Sequence, residues 1–300
     1  VTLPASLETI GLYAFGNQAA LQTVDISGSN AKLALIDTKA FVGCSSLRQV
    51  DMGVSAAPVV VGTSAFEGCA SLQRVTLPKS MTTLNNAAFK NCSALASFVL
   101  RGSGASAWTI LGNEAFAGCT DLNAMDLSST KIAIIGASAF SGCTSLNLVT
   151  LPKSLTALGE LAFAGCSALS TLSLLSELPP SVGADTFKGC DKALLCVQVP
   201  QSNNDAVLKS YRDDPAWNKA LADDSGFFDE NSITAADPDM VVYEGASYRR
   251  TGSGLSLVEV NPSMVTTVFT PTSQATMIEA GAFKGCSSIV SIKIPASVKS

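Results

Sequence analysis

Ala139-Phe140-Ser141-Gly142-Cys143-Thr144-Ser145-Leu146-Asn147-Leu148-Val149-Thr150-Leu151-Pro152-Lys153-Ser154-Leu155 is one copy of a unit that recurs from Ala14 to Val298. Reduced to its pattern, the unit reads A-F-x-G-C-x-x-L-x-x-V-x-L-P-x-S-L. Its phenylalanines are Phe15, Phe41, Phe66, Phe89, Phe116, Phe140, Phe163 and Phe187, with Phe283 after a gap. The first eight are spaced 26, 25, 23, 27, 24, 23 and 24 residues apart. A near-constant period of this size marks a solenoid, in which no single coil can bury its apolar face and stacked coils bury a continuous core.

Three residues after each Phe stands a cysteine, except in the first unit, which has Gln18. Then comes L-x-x-V-x-L. In Leu72-Gln73-Arg74-Val75-Thr76-Leu77, Val75 and Leu77 alternate inward as a strand requires, and Leu72 turns in at the bend before it. Pro78, like Pro4, Pro152, Pro200 and Pro295, then ends the strand, because proline cannot donate to the ladder. The block is expected to begin at Leu21, Leu47, Leu72, Leu95, Leu122, Leu146, Leu169, Leu194 and Ile289. The A-F-x-G-C piece is expected to form a short helical or 3₁₀ turn on the opposite side. Gly43, Gly68, Gly118, Gly142 and Gly165 there reverse the chain through a left-handed conformation.

One small thiol per coil beside one Phe per coil predicts a buried column, since free cysteine is among the most buried residue types. Stacking also brings neighbouring cysteines within disulfide range, so bridges along the column are the alternative. A zinc site is disfavoured, because C-x-x-C and histidine are both lacking. Cys196 lies outside the column, as either ordinary strand packing or a reactive thiol.

Composition narrows the function. Hydrophobic residues make up 47% of the chain and charged residues 14%, below the usual quarter. A net charge of −5 disfavours nucleic acid and anionic membrane as partners. No run of apolar residues is long enough for a transmembrane helix. The complete lack of histidine removes the commonest general base and excludes Ser-His-Asp and Cys-His mechanisms. No convergent acid, base and nucleophile set is present. Neither an enzyme nor a cofactor or metal site is therefore expected.

Along the chain, residues 1–225 read as a first array. It opens mid-unit at Val1–Leu7, as a piece of a longer protein would. The insertion Arg101–Trp108 is Gly/Ser-rich and reads as a loop. Its Trp108 is either packed on the outer wall or an exposed contact residue. Residues 203–222 break the period. Leu208, Tyr211, Trp217 and Leu221 predict a helical segment, interrupted near Pro215 and N-capped by Asn203 or Asn204, that covers the end of the core. Residues 226–262 read as an acidic linker and a β-meander, with strands at Met240–Tyr243, Ser247–Arg250 and Leu255–Val260. Asp213, Asp214, Asp223, Asp224, Asp229, Glu230, Asp237 and Asp239 are better read as a solvated linker than as a calcium site. Residues 263–300 start a second array.

The pattern I-G-x-x-A-F-x-G-C-x-x-L-x-x-V-x-L-P-x-S-L, matched by Ile135–Leu155, resembles the BspA-like class of bacterial leucine-rich repeats. Val197–Pro200 with Tyr211 and Trp217 is similar to that family's closing segment, and Tyr248–Val260 to its opening one. The resemblance implies an α/β, strand-rich, right-handed curved solenoid with concave parallel strands and short convex helical turns. It also implies secretion or display on the bacterial surface, and binding of a host extracellular-matrix protein or a bacterial surface protein. The expected surface is the outward side of the strands. There Arg48 and Arg74 are candidate anchors, and Asp25, Asp51 and Asp126 complement a basic patch. Trp108 is the candidate contact on the opposite side. A spacer that displays another module, with no ligand of its own, is the alternative.

Overall fold

The computed structural model describes residues 1–4, 6–25, 32–52, 57–101, 106–200, 206–222 and 232–235. Beyond these it describes 240–243, 246–251, 254–260, 268–269, 275–280, 282–283, 291–292, 294 and 298. The chain divides into two compact units, Val1–Thr234 and Ala235–Ser300.

Each coil of the first unit contributes two strands, where the pattern predicts one. The L-x-x-V-x-L blocks form parallel strands: Thr23–Asp25, Gln49–Asp51, Arg74–Pro78 and Ser97–Arg101 make one sheet. Ala124–Asp126, Leu148–Leu151, Thr171–Leu174, Cys196–Val199 and Ile233–Ala235 make a second. The short segment before each A-F-x-G-C forms a further strand, as in Leu35–Ile36 and Ile134–Ile135. These build an uninterrupted eight-stranded sheet, parallel in every pair.

The predicted helical turn is corrected. A-F-x-G-C is a chain of tight turns with two left-handed residues, two before and two after each Phe. In the second coil these are Lys39 (φ 56°) and Gly43 (φ 68°). Amides alternate along the segment. Ala40, Val42 and Cys44 donate three residues back, while Lys39, Phe41 and Gly43 donate to Thr63, Ala65 and Glu67 of the next coil. A left-handed residue in the third place of a turn aims the amides this way. The turns therefore stack as a third ladder, and a continuous helix would forfeit it. Asn17 and Asn91 take the glycine position with φ 59°, as asparagine tolerates.

The core is columnar. Phe15, Phe41, Phe66 and Phe89 stack at 5.0 Å. The column continues through Phe116, Phe140, Phe163 and Phe187 at 5.3–5.8 Å. The glycine of each I-G pair sits hard against the preceding coil. A Cβ on Gly136 would lie 2.5 Å from the Gly112 carbonyl carbon, whereas one on Gly11, in the first coil, would meet nothing within 4 Å.

Helices α1 (Ala206–Arg212) and α2 (Pro215–Leu221) close the column. Asp214 caps α2, accepting from the amides of Ala216 and Trp217, with Pro215 in the first turn. Trp217 lies 6.1 Å from Phe187 and donates to the Pro180 carbonyl at 2.9 Å. The Tyr211 hydroxyl donates to the Ser176 carbonyl at 2.9 Å, and burial pushes its pKa up to about 12. Arg212 reaches the Ile233 carbonyl at 2.8 and 3.1 Å, tying the last strand to the cap. Asn203, Asn204, residue 225 and the acids from Asp223 to Glu230 and at 237 and 239 lie outside the described residues.

In the second unit, Met240–Tyr243, Ala246–Thr251 and Gly254–Val260 form the expected antiparallel meander, and Ala275–Ile278 joins it in parallel. Val268–Phe269 and Ser291–Ile292 pair in parallel. Cys286 and Ile289 lie outside the described residues.

Candidate functional site

The outward side of the L-x-x-V-x-L strands is set by register. Thr23 lies opposite Gln49, Gln49 opposite Arg74 and Arg74 opposite Ser97. Val24, Val50 and Val75 point inward and are buried. On the first three strands Gln22, Thr23, Arg48, Gln49, Gln73 and Arg74 are all exposed. Arg48 stands one residue before Gln49, and its carbonyl accepts the amides of Gln73 at 2.9 Å and Arg74 at 3.2 Å. The two arginines therefore sit on adjacent strands, offset by one residue.

The acids of the third column behave differently. Asp25 pairs in register with Asp51, and both are half-buried. Arg101, two coils further on, reaches back to Asp51 at 3.6 Å. Asp126 is exposed on the second sheet, opposite the buried Thr150. The structure thus gathers Arg48, Arg74, Asp25 and Asp51 on one sheet and leaves Asp126 on the other.

Trp108 is corrected as a contact residue. It is completely buried, its ring 5.8 Å from Phe98, and its indole N–H donates to the Ile110 carbonyl at 2.7 Å. The insertion brings a large ring inward to pack against Phe98, the one aromatic in the column of valines.

The last block also shifts. The buried leucine is Leu195, five residues after Cys190 where the other coils place it three after, and Leu194 is 58% exposed. The strand keeps its register, with Cys196 opposite Thr171 and half-buried, its Sγ 3.4 Å from Thr234 Oγ1.

The cysteine column supplies chemistry that spacing alone conceals. Each thiol donates to the carbonyl of the Phe one coil back: Cys44 to Phe15 at 2.9 Å, Cys69 to Phe41 at 3.1 Å, and on to Cys190 and Phe163 at 3.2 Å. All eight described cysteines are free thiols. Burial raises the Cys119 thiol far above its ordinary value and pushes Cys190 up to about 12. These groups are structural donors, held far from the thiolate state that nucleophilic chemistry needs. Among the described residues no cluster of three or more metal-ligating side chains occurs, and no helix is long and apolar enough to cross a membrane.

The sequence matches the family described as BspA type leucine rich repeat region, in six copies over residues 1–96, 105–212 and 262–300. A leucine rich cell surface protein from Faecalibacterium prausnitzii is similar at 22% identity and a TM-score of 0.46, over 97% of this chain and 66% of that one. The T. pallidum leucine rich repeat protein is similar at 30% identity and a TM-score of 0.48, over 62% of this chain and 83% of that one. The pneumococcal vaccine antigen PcpA is similar at 16% identity and a TM-score of 0.37, over 100% of this chain and 59% of that one. The chain thus spans less than two thirds of the first and last of these. A search of the curated proteins finds no match.

Proposed function

The chain belongs to the BspA-type leucine rich repeat family, and from that premise we propose that it is a non-enzymatic bacterial protein, secreted or displayed on the cell surface, that binds a protein partner. The reading takes the array as right-handed and curved, with the L-x-x-V-x-L strands on its concave side. It takes residues 1–225 as a capped first array, 226–262 as linker and meander, and 263–300 as the start of a second. Host extracellular-matrix proteins and bacterial surface proteins are the partner classes.

One observation carries the reading. Six long or polar side chains on three adjacent strands, from Gln22 to Arg74, are exposed together on a backbone held by ladder hydrogen bonds. Little ordering entropy of the backbone remains to oppose binding. The spacer reading is favoured by a different observation. On the second sheet the positions equivalent to these six, Asn123, Ala124, Asn147, Leu148, Ser170 and Thr171, are all half-buried or buried.

The test is binding of the full chain to immobilised matrix and bacterial surface proteins, repeated with Arg48→Ala and Arg74→Ala together. Binding that the double variant loses supports the reading. Binding that it keeps moves the site off this sheet, and no binding to any partner favours the spacer.

A further inference from the structure

The charges on the first sheet are not balanced. Neither Arg48 nor Arg74 makes an ion pair or a side-chain hydrogen bond with any described residue, and both are exposed. Of the two acids on this sheet, Asp51 is held by Arg101 at 3.6 Å, and Asp25, in register with it, is half-buried and engaged in an interaction of its own. The other described lysine and arginine pairs lie elsewhere: Lys90 with Glu114, Lys188 with Asp185, Lys209 with Asp213. Around the two free guanidinium groups stand Gln22, Gln49 and Gln73, which supply amide donors and no negative charge. A chain of net charge −5 therefore carries a small donor-rich, cationic strip on an exposed edge of ladder-bonded strands.

We propose that this strip, taken as the partner surface argued above, recognises an extended acidic peptide segment with carboxylates at alternate positions. Spacing supports the match. Parallel strands lie about 4.8 Å apart and successive residues about 3.3 Å, which puts the Cα atoms of Arg48 and Arg74 about 6 Å apart. Alternate side chains of an extended peptide are about 6.7 Å apart on one face. Each guanidinium fork can then take one carboxylate through two parallel hydrogen bonds, and the glutamine amides can donate to the peptide carbonyls between. At physiological ionic strength the Debye length is about 8 Å, so acids elsewhere on the chain are screened and the local pair decides.

The experiment uses the full chain and a short synthetic peptide of alternating glutamate and serine, with binding read by calorimetry. The counterpart with glutamine in place of glutamate is the neutral control, and a sulfated glycan is run in parallel. The expected result is binding of the glutamate peptide alone, weakened at least about tenfold in the Arg48→Ala/Arg74→Ala variant and partly retained in Arg48→Lys/Arg74→Lys, which keeps charge but not the fork. Equal binding of the glutamine peptide, or binding that the alanine variant leaves intact, overturns the proposal. So does a sulfated glycan that binds through the same arginines while the peptide does not. If matrix-protein binding depends on the two arginines and the peptide does not bind, the surface assignment stands and the acidic-peptide assignment falls.

Discussion

The first four coils and the last four are built on the same inner ladders, yet they differ at the surface and at their junction. In the first half the rings stack at 5.0 Å, and long polar side chains project from the strands. From the junction onward the spacing is 5.3–5.8 Å, and the matching side chains are half-buried or buried. At the junction Ser97–Arg101 and Ala124–Asp126 belong to different sheets, while Thr83 still pairs with Ile110 in the eight-stranded sheet. Phe98 is wedged at this junction, beside the insertion that carries Trp108. It stands edge-on to Phe89 at 5.8 Å and to Phe116 at 5.1 Å, filling space that a valine leaves open elsewhere. One ladder parts here while the remaining two hold. A solenoid with three ladders can therefore change its outward chemistry halfway along without losing its core.

The largest expected effect tests whether both halves depend on the thiol ladder alike. The thiols of Cys44, Cys69, Cys92, Cys119, Cys166 and Cys190 are all raised above their ordinary value of 9.0. For Cys44 the hydrogen bond with Cys69 is the main cause and burial the second; for Cys92, Cys119 and Cys190 burial comes first. A raised folded-state pKa means that the stability is fully present below about pH 9 and lost as pH rises, because only the unfolded chain then releases the protons. Stability should therefore fall steadily as pH rises above about 9, the direction set by every one of these raised thiols. Urea midpoints in reducing buffer from pH 8 to 11 measure this. A flat profile refutes it, and two separate transitions would show that the junction uncouples the halves.

Phe116→Ala strikes the junction itself. Phe116 is completely buried between Phe89, Phe98 and Phe140. The expected loss is about 3–5 kcal/mol, as for other buried Phe truncations. Because the L-x-x-V-x-L ladder is already open here, unfolding should become biphasic. A single transition with a loss below about 1 kcal/mol, the centre of ordinary mutational effects, would mean that Phe98 and Trp108 alone hold the junction.

What the sequence shows and what it hides follow from the same geometry. The Phe column, the inward Val and Leu, and the burial of Tyr211 and Trp217 are legible because each repeats or breaks a period in bulky residues. The eight-stranded sheet is not, because strands as short as Leu35–Ile36 have no room to display alternation. Nor are the left-handed residues at Lys39, Ser64 and Leu161, types with no preference for that region, held there by the ladder around them. The cysteines are legible as small and buried, but their donation to the Phe carbonyls depends on the coil behind. On the candidate surface, the exposure of Arg74 follows from the strand period, while Arg48 is exposed at the bend that precedes its strand. The capture of Asp51 by Arg101 does not, because it skips a coil.

A smaller effect separates the first coil from the rest. Gly136→Ala places a methyl against the Gly112 backbone, which cannot swing aside, and should cost about 1–3 kcal/mol as overpacking does. Gly11→Ala meets open space and should change stability by less than about 0.5 kcal/mol, as surface substitutions do. Equal effects would show that backbone freedom, common to both sites, matters more than the close approach of coils.

The smallest effect compares the two outward surfaces directly. Thr150 is buried on the second sheet, and its hydroxyl has no hydrogen-bond partner. Its neighbour Ser173 instead donates to Gln198 Oε1 at 3.0 Å. Thr150→Val keeps the shape and removes the unpaired hydroxyl, so it should stabilise by up to about 1 kcal/mol, the lower end of the penalty for an unmade hydrogen bond. Arg48→Ala with Arg74→Ala, on the exposed first sheet, should leave stability within about 0.5 kcal/mol, since neither side chain has a partner to lose. The urea midpoints of the two variants decide between two pictures of the surface. If Thr150→Val destabilises, a water must satisfy that hydroxyl, and the second sheet is a hydrated polar surface like the first. If it stabilises while the arginine variant is neutral, the second half has closed over its strands. The long exposed side chains of the first sheet are then ones that folding does not require, which is where selection for a partner would leave its mark.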